Sequence, residues 1–329
     1  MHSDYVERRT EQGAILREIV DQFLERQVHP PADYRQFEQL TLGMIDILDA
    51  PSVARILRPL CSHPETSQAI FDRLAAKGGP CAELATQFSP HVTREAMVAA
   101  ARGSDPAMAC AVARRADLDV DIIGALLRRG EPETMRALAE NQAARFDASA
   151  RRAMIEAARG NLTFARMLLD RGDFGAEDEA LFLAARRQER GNMMLKAIRR
   201  VLASDGGRAP EADPERSARI EAAALRRDRE AMAAVIAEAF LCRKTRARMI
   251  IDDPGGELLA LALTALGVNP DAATRIFLCA EPAIAHDTTV VRGLVDLTKL
   301  VPPLAAAEIV VAATGGWLRS EPVAVERAS

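Results

Sequence analysis

The sequence predicts an all-α chain, built as an α-solenoid of short helix pairs followed by a C-terminal helical region. Three observations predict it. Of 329 residues, 49% are hydrophobic but only 4% aromatic, so the apolar content is mostly Ala, Leu, Val, Ile and Met. Ala, Leu and Met favour helices, whereas strands draw on aromatic and β-branched residues. Apolar positions recur at helical spacing, as at Met135, Leu138 and Ala139 and at Phe164, Leu168 and Leu169. The third observation is a repeated phrase: an apolar segment runs into Gly, usually as Arg-Gly, and a second apolar segment follows.

The glycines of that phrase are Gly103, Gly130, Gly160 and Gly191, spaced by 27, 30 and 31 residues. Weaker copies place Gly78 and Ala50 at the same point, so about six repeats lie between Ile45 and Leu202. A fixed period in this range marks a solenoid, because a lone helix pair cannot bury its apolar face and must stack. Gly is expected where the first helix of each pair ends, since a left-handed cap costs it nothing. The pairs Asp105-Pro106 and Glu131-Pro132 then start the second helix, where a missing N–H is harmless and a negative charge suits the helix end.

In chain order, residues 1–44 read as two capping helices and 45–202 as the helical repeats. The stretch "ASDGGRAPEADPERS", within 203–217, reads as a linker rich in Gly, Pro and charge. A C-terminal helical region is expected over 218–318. It opens with one or two amphipathic helices and breaks at "DDPGG", Asp252–Gly256. Helices are then expected near 256–267, 270–280, 287–300 and 303–313. Residues 319–329 read as a disordered tail.

Three segments carry a family resemblance: "ILREIVDQFLERQVHPPADYRQFEQLTLGMIDIL", "AMACAVARRADLDVDIIGALLRRGEPETMRALAENQAARF" and "DDPGGELLALALTALGV". They resemble the opening, core and C-terminal stretches of the HEAT-like alphaproteobacterial family catalogued as domain of unknown function 2336, over most of the chain. The segment "AAKGGPCAELATQFS" departs from the family pattern, which carries acidic residues and a Val-Ala pair there. The resemblance implies a HEAT-like repeat fold and no established activity.

The net charge is −4, with 39 Arg and 4 Lys among the 43 basic residues. That balance argues against a globally basic nucleic-acid binder but leaves room for a local patch. The cysteines Cys61, Cys81, Cys110, Cys242 and Cys279 lack CxxC spacing, which fits reduced, buried thiols. The start "MHSDYVERRTEQ" has charges where a signal peptide needs an apolar core, and "LLALALTALGV" is too short to span a bilayer. A cytoplasmic protein without a membrane segment is expected. The histidines His2, His29, His63, His91 and His286 are scattered. No metal-ligand, phosphate-loop or nucleophile motif is present, so no cofactor and no enzyme activity are expected.

Two groups of arginines are candidates for partner binding. Arg102, Arg129, Arg159 and Arg190 each precede a repeat glycine and would stack as a ridge able to grip acidic groups. Alternatively, each caps the negative end of its own helix. The stretch 186–248 carries 16 basic and 9 acidic residues, among them Arg186, Arg187, Arg190, Arg199, Arg200, Arg226, Arg227, Arg243, Lys244, Arg246 and Arg248. It reads as a solvated face, as a surface for an acidic protein, or as a nucleic-acid surface. The last is disfavoured because Phe240 is the only aromatic within it. Trp317, the single Trp, is expected to dock the last helix. The function expected is a non-enzymatic protein-interaction scaffold, with a nucleic-acid-binding repeat protein as the alternative.

Overall fold

A computed structural model describes residues 2–175, 177–204, 212–280 and 285–318, and its regular structure among those residues is helical. The expected tail at 319–329 lies outside them, as does 205–211 of the expected linker. The chain divides into two compact units between Arg151 and Arg152.

The first unit begins with α1 (His2–Leu24) and α2 (Pro31–Ile47), where two capping helices were expected. There follow α3 (Ala50–Leu57), α4 (Gln68–Lys77), α5 (Pro80–Phe88), α6 (Arg94–Arg102), α7 (Pro106–Ala113), α8 (Val120–Arg129) and α9 (Pro132–Glu140). Helix starts follow the expected chemistry. Asp49, Ser67, Thr93, Asp105 and Asp119 each accept a backbone N–H at a helix N-terminus. Gly130 ends α8 with φ +68°, a left-handed cap that a Cβ would strain. Gly103 ends α6 at φ −63° and needs no such freedom.

Packing follows a skip rule. The helix α1 meets α3, α3 meets α5, α5 meets α7, and α7 meets α9; α2 meets α4 and α6 meets α8. Sequential contacts such as α4–α5, α6–α7 and α8–α9 tie the two rows together. This is the pattern that stacked helical hairpins produce. The helix α7 lies between α5 and α9, and its run Ala109–Ala113 is buried throughout, so only small side chains fit.

The helix α10 (Ala148–Ala158) contains the division, and the second unit continues with α11 (Leu162–Arg171) and a 3-10 helix at Asp178–Ala184. It is completed by α12 (Arg187–Ala203), α13 (Pro214–Leu225), α14 (Arg229–Ala239), α15 (Lys244–Ile251), α16 (Glu257–Ala265), α17 (Pro270–Ala280), α18 (Thr288–Leu300) and α19 (Pro303–Thr314). The last repeat does not form as expected. Residues ahead of Gly191 make the 3-10 helix instead of an α-helix, and α12 runs straight through Gly191.

The α12 helix and the 3-10 helix both pack on α19, so they share one core with the C-terminal helices. The expected boundary at 203–217 therefore falls inside the second unit. At its centre is α16, buried from Leu258 to Ala265 and contacted by α15, α18 and α19. Its sequence is apolar on every face, the signature of a helix surrounded by others.

Candidate functional site

The four arginines that precede the repeat glycines do not form one exposed ridge. Arg129 sits at the end of α8 with only 10% of its side chain exposed. Its Nη1 donates to the carbonyls of Ala101 and Gly103 at the end of α6, and its other nitrogens clamp Glu131 at 2.7 and 2.9 Å. It thus caps the helix beside it and not, as the alternative reading had it, its own. Burial and the helix end's negative pole both favour this arrangement, since the last carbonyls of α6 have no partner within their helix.

The same device recurs where the sequence did not point to it. Arg115, at the end of α7, donates to the Thr86 and Ser89 carbonyls at the end of α5 and holds Asp117 at 2.7 and 2.8 Å. That ion pair keeps the Asp117 carboxyl below its usual range. Asn141, after α9, donates to the Ala113 and Arg115 carbonyls at the end of α7. The signal was available as a polar residue at each helix end, but the acceptors lie 26 to 29 residues earlier.

In the second unit Arg159 donates to the Ala312 carbonyl and pairs with Glu156, and Arg246 donates to the Thr314 carbonyl and shares that carboxylate. Arg190 is 8% exposed and lies over the Phe182 ring at 5.1 Å. It grips Asp253 through two nitrogens at 2.9 and 3.0 Å, reaches Glu257 at 2.6 Å, and donates to the Leu183 and Ala185 carbonyls. Asp253 is itself buried and also accepts the Leu258 N–H, so "DDPGG" is a helix start locked by an ion pair. Arg190 is therefore unavailable to a partner: five donors of a planar fork face internal acceptors.

The basic stretch is also largely neutralised from outside its own sequence. Arg200 pairs with Glu179 and Glu308, Lys196 with Asp178, Arg246 with Glu156, and Arg248 with Asp252 as well as Glu230. Arg219 meets Glu238, Arg229 meets Asp252 and Lys244 meets Glu230. Arg166, just upstream, holds Glu189 at 2.6 and 2.9 Å. With the Arg186 N–H added, that guanidinium draws the Glu189 carboxyl down to about 2. Six of the ten expected partner-binding arginines remain exposed with no ion pair or side-chain hydrogen bond: Arg102, Arg186, Arg187, Arg199, Arg226 and Arg227.

Cys61, Cys81 and Cys110 are buried and the other two half-buried, all as free thiols, and burial pushes Cys61 up to about 12. His29 and His63 come together with Glu65 around Phe23. His29 Nδ1 lies 2.7 Å from the Glu65 carboxylate and its ring stacks on Phe23 at 3.8 Å. No group of three or more His, Cys, Asp and Glu suited to a metal ion occurs among the described residues. Nor is any helix there long and apolar enough to cross a membrane. Trp317 departs from expectation: its side chain is 76% exposed, although its backbone N–H donates to the Phe240 carbonyl at 2.8 Å.

Residues 82–177 match the model of a family described as an uncharacterised protein conserved in bacteria, DUF2336. The match covers under a third of the chain, the stretch from α5 to the start of the 3-10 helix, where the resemblance had been expected over most of it. No curated protein and no solved structure matches the chain.

Proposed function

We propose that this chain, which carries the region of that uncharacterised bacterial family, is a non-enzymatic cytoplasmic adaptor for a protein partner with an acidic surface. One observation carries the reading. Arg102, Arg186, Arg187, Arg199, Arg226 and Arg227 stand in solvent without a carboxylate, in a molecule that neutralises most of their neighbours internally. An outward guanidinium offers a planar fork of donors that fits a carboxylate bidentately. A helical scaffold whose ends are capped by side chains holds such forks at stable positions, which lowers the ordering cost of binding.

A nucleic-acid partner is the second reading. It is disfavoured because Phe240, the one aromatic of the basic stretch, is fully buried and cannot stack on a base. The test is capture of partners by the tagged full chain from native cytoplasm, with and without nuclease, beside a variant carrying Arg186→Glu, Arg187→Glu, Arg226→Glu and Arg227→Glu. The adaptor reading expects a discrete protein that survives nuclease and is lost at least tenfold from the variant. Recovery that needs nucleic acid and falls steeply with salt would replace it with the second reading.

A further inference from the structure

The strip Thr314–Leu318 after α19 lies along Phe240–Arg246, the end of α14 and the start of α15. Three contacts pin it. The Trp317 N–H donates to Phe240, the Arg246 Nη1 donates to the Thr314 carbonyl at 2.8 Å, and Leu318 packs on the core. Its two glycines are needed for the close approach. A Cβ on Gly316 would strike the Phe240 carbonyl, and one on Gly315 would strike the Arg159 and Arg246 guanidiniums.

Against this pinned backbone two large apolar side chains point into water. Trp317 is 76% exposed and Leu241 57% exposed. Leu241 also adopts φ +43°, a left-handed conformation that disfavours any side chain beyond glycine. Strain and apolar exposure therefore coincide at one place. Both are costs to folding, and outliers of this kind concentrate at functional positions. An exposed Trp on rigid backbone is also the side chain most often found to anchor a protein interface.

The charges around the pair point to the occupant. Arg159 and Arg246 share the single carboxylate of Glu156, and Arg243, exposed beside Leu241, has no ion pair. Three guanidiniums thus face one carboxylate at the rim. We infer that Trp317 and Leu241 form an apolar anchor, rimmed by Arg243, Arg246 and Arg159, that docks an acidic protein segment through its apolar side chains. This rests on the adaptor reading and supplies it with a contact point apart from the six exposed arginines.

Trp317 is the only Trp, so its fluorescence in the full chain reports this place alone. The probes are three short peptides: an amphipathic one of Leu, Ala and Glu, the same with Lys for Glu, and the same with Ser for Leu. The expected result is that acrylamide quenches Trp317 freely in the unliganded chain. The acidic amphipathic peptide then shifts the emission to the blue and shields it, and the other two do not. Leu241→Gly and Arg243→Glu each weaken that peptide at least tenfold. Because glycine suits φ +43°, Leu241→Gly should keep the fold intact, which separates lost binding from lost structure.

Four results would overturn the inference. Shielding that grows with protein concentration would assign the surface to a second copy. Shielding released by deleting residues 319–329 would assign it to the chain's own end. Equal response to all three peptides, or none to any, would leave no selective site. If partner capture depends on Arg186, Arg187, Arg226 and Arg227 while Trp317 stays indifferent, the adaptor reading stands and this anchor falls. If neither responds, both fall.

Discussion

Arg190 shows how one side chain can change meaning between sequence and structure. In sequence it is another Arg before a repeat Gly; in the fold it neutralises Asp253, 63 residues away. Removing one partner leaves a charge in the interior, so Arg190→Met should cost about 3–5 kcal/mol in urea unfolding. The double variant Arg190→Met with Asp253→Asn should recover much of that, because Asn still accepts the Leu258 N–H while carrying no charge. A double variant as unstable as the single one would show that the pair does not set the cost. Glu189 supplies a pH signature. Its carboxyl lies near 2 when folded against an ordinary 4.5, so its contribution is complete above 4.5 and disappears as pH falls through about 2. Glu189→Gln should lower stability at pH 7 by about 1 kcal/mol, a value reduced for solvent screening at this partly exposed site. Thermal unfolding of the two proteins should coincide below about pH 2.

At the scale of elements, the C-terminal helices were legible nearly to the residue. Periods of apolar residues between Pro and Gly breaks placed α16 to α19 close to their observed ends. The repeat at Gly191 was misleading because a glycine is permitted in a helix as well as at its end. Position 191 lies within α12 with open space around a Cβ, so Gly191→Ala should stabilise by about 1 kcal/mol. Gly130→Ala should do the reverse, since φ is +68° there. The same logic, inverted, applies to α13 and α14, which end on Arg227 at φ +56° and Leu241 at φ +43°. Glycine at either should raise stability by roughly 1 kcal/mol; a loss would mean that the side chain contributes contacts exceeding the strain. For α16, Leu261→Ala should cost about 2–5 kcal/mol, because the side chain is fully enclosed.

The whole molecule was the least legible scale. A Gly- and Pro-rich stretch at 203–217 looked like the boundary, yet the division falls at 151/152, within a helix of ordinary composition. Boundaries are set by which elements share a core, and the partners of α12 lie about a hundred residues downstream in α19. Arg102, Arg186, Arg187, Arg199, Arg226 and Arg227 could be named as basic residues, but their freedom emerged only once the carboxylates taken by Arg190, Arg200 and Arg246 were known. Two compact units predict more than one thermal transition. Scanning calorimetry of the full chain should give a calorimetric enthalpy exceeding the van't Hoff value, and equality would indicate one cooperative block.

The reach of the capping side chains also limits how such a chain can change length. Arg129 and Asn141 each grasp carbonyls 26 and 28 residues back. Adding a single residue between a grasping side chain and its target turns the following helix by about 100° and leaves the guanidinium or amide facing the wrong atoms. Duplicating one complete hairpin preserves every grasp. The first unit can therefore lengthen or shorten in whole hairpins, like a ladder that accepts a rung but not part of one.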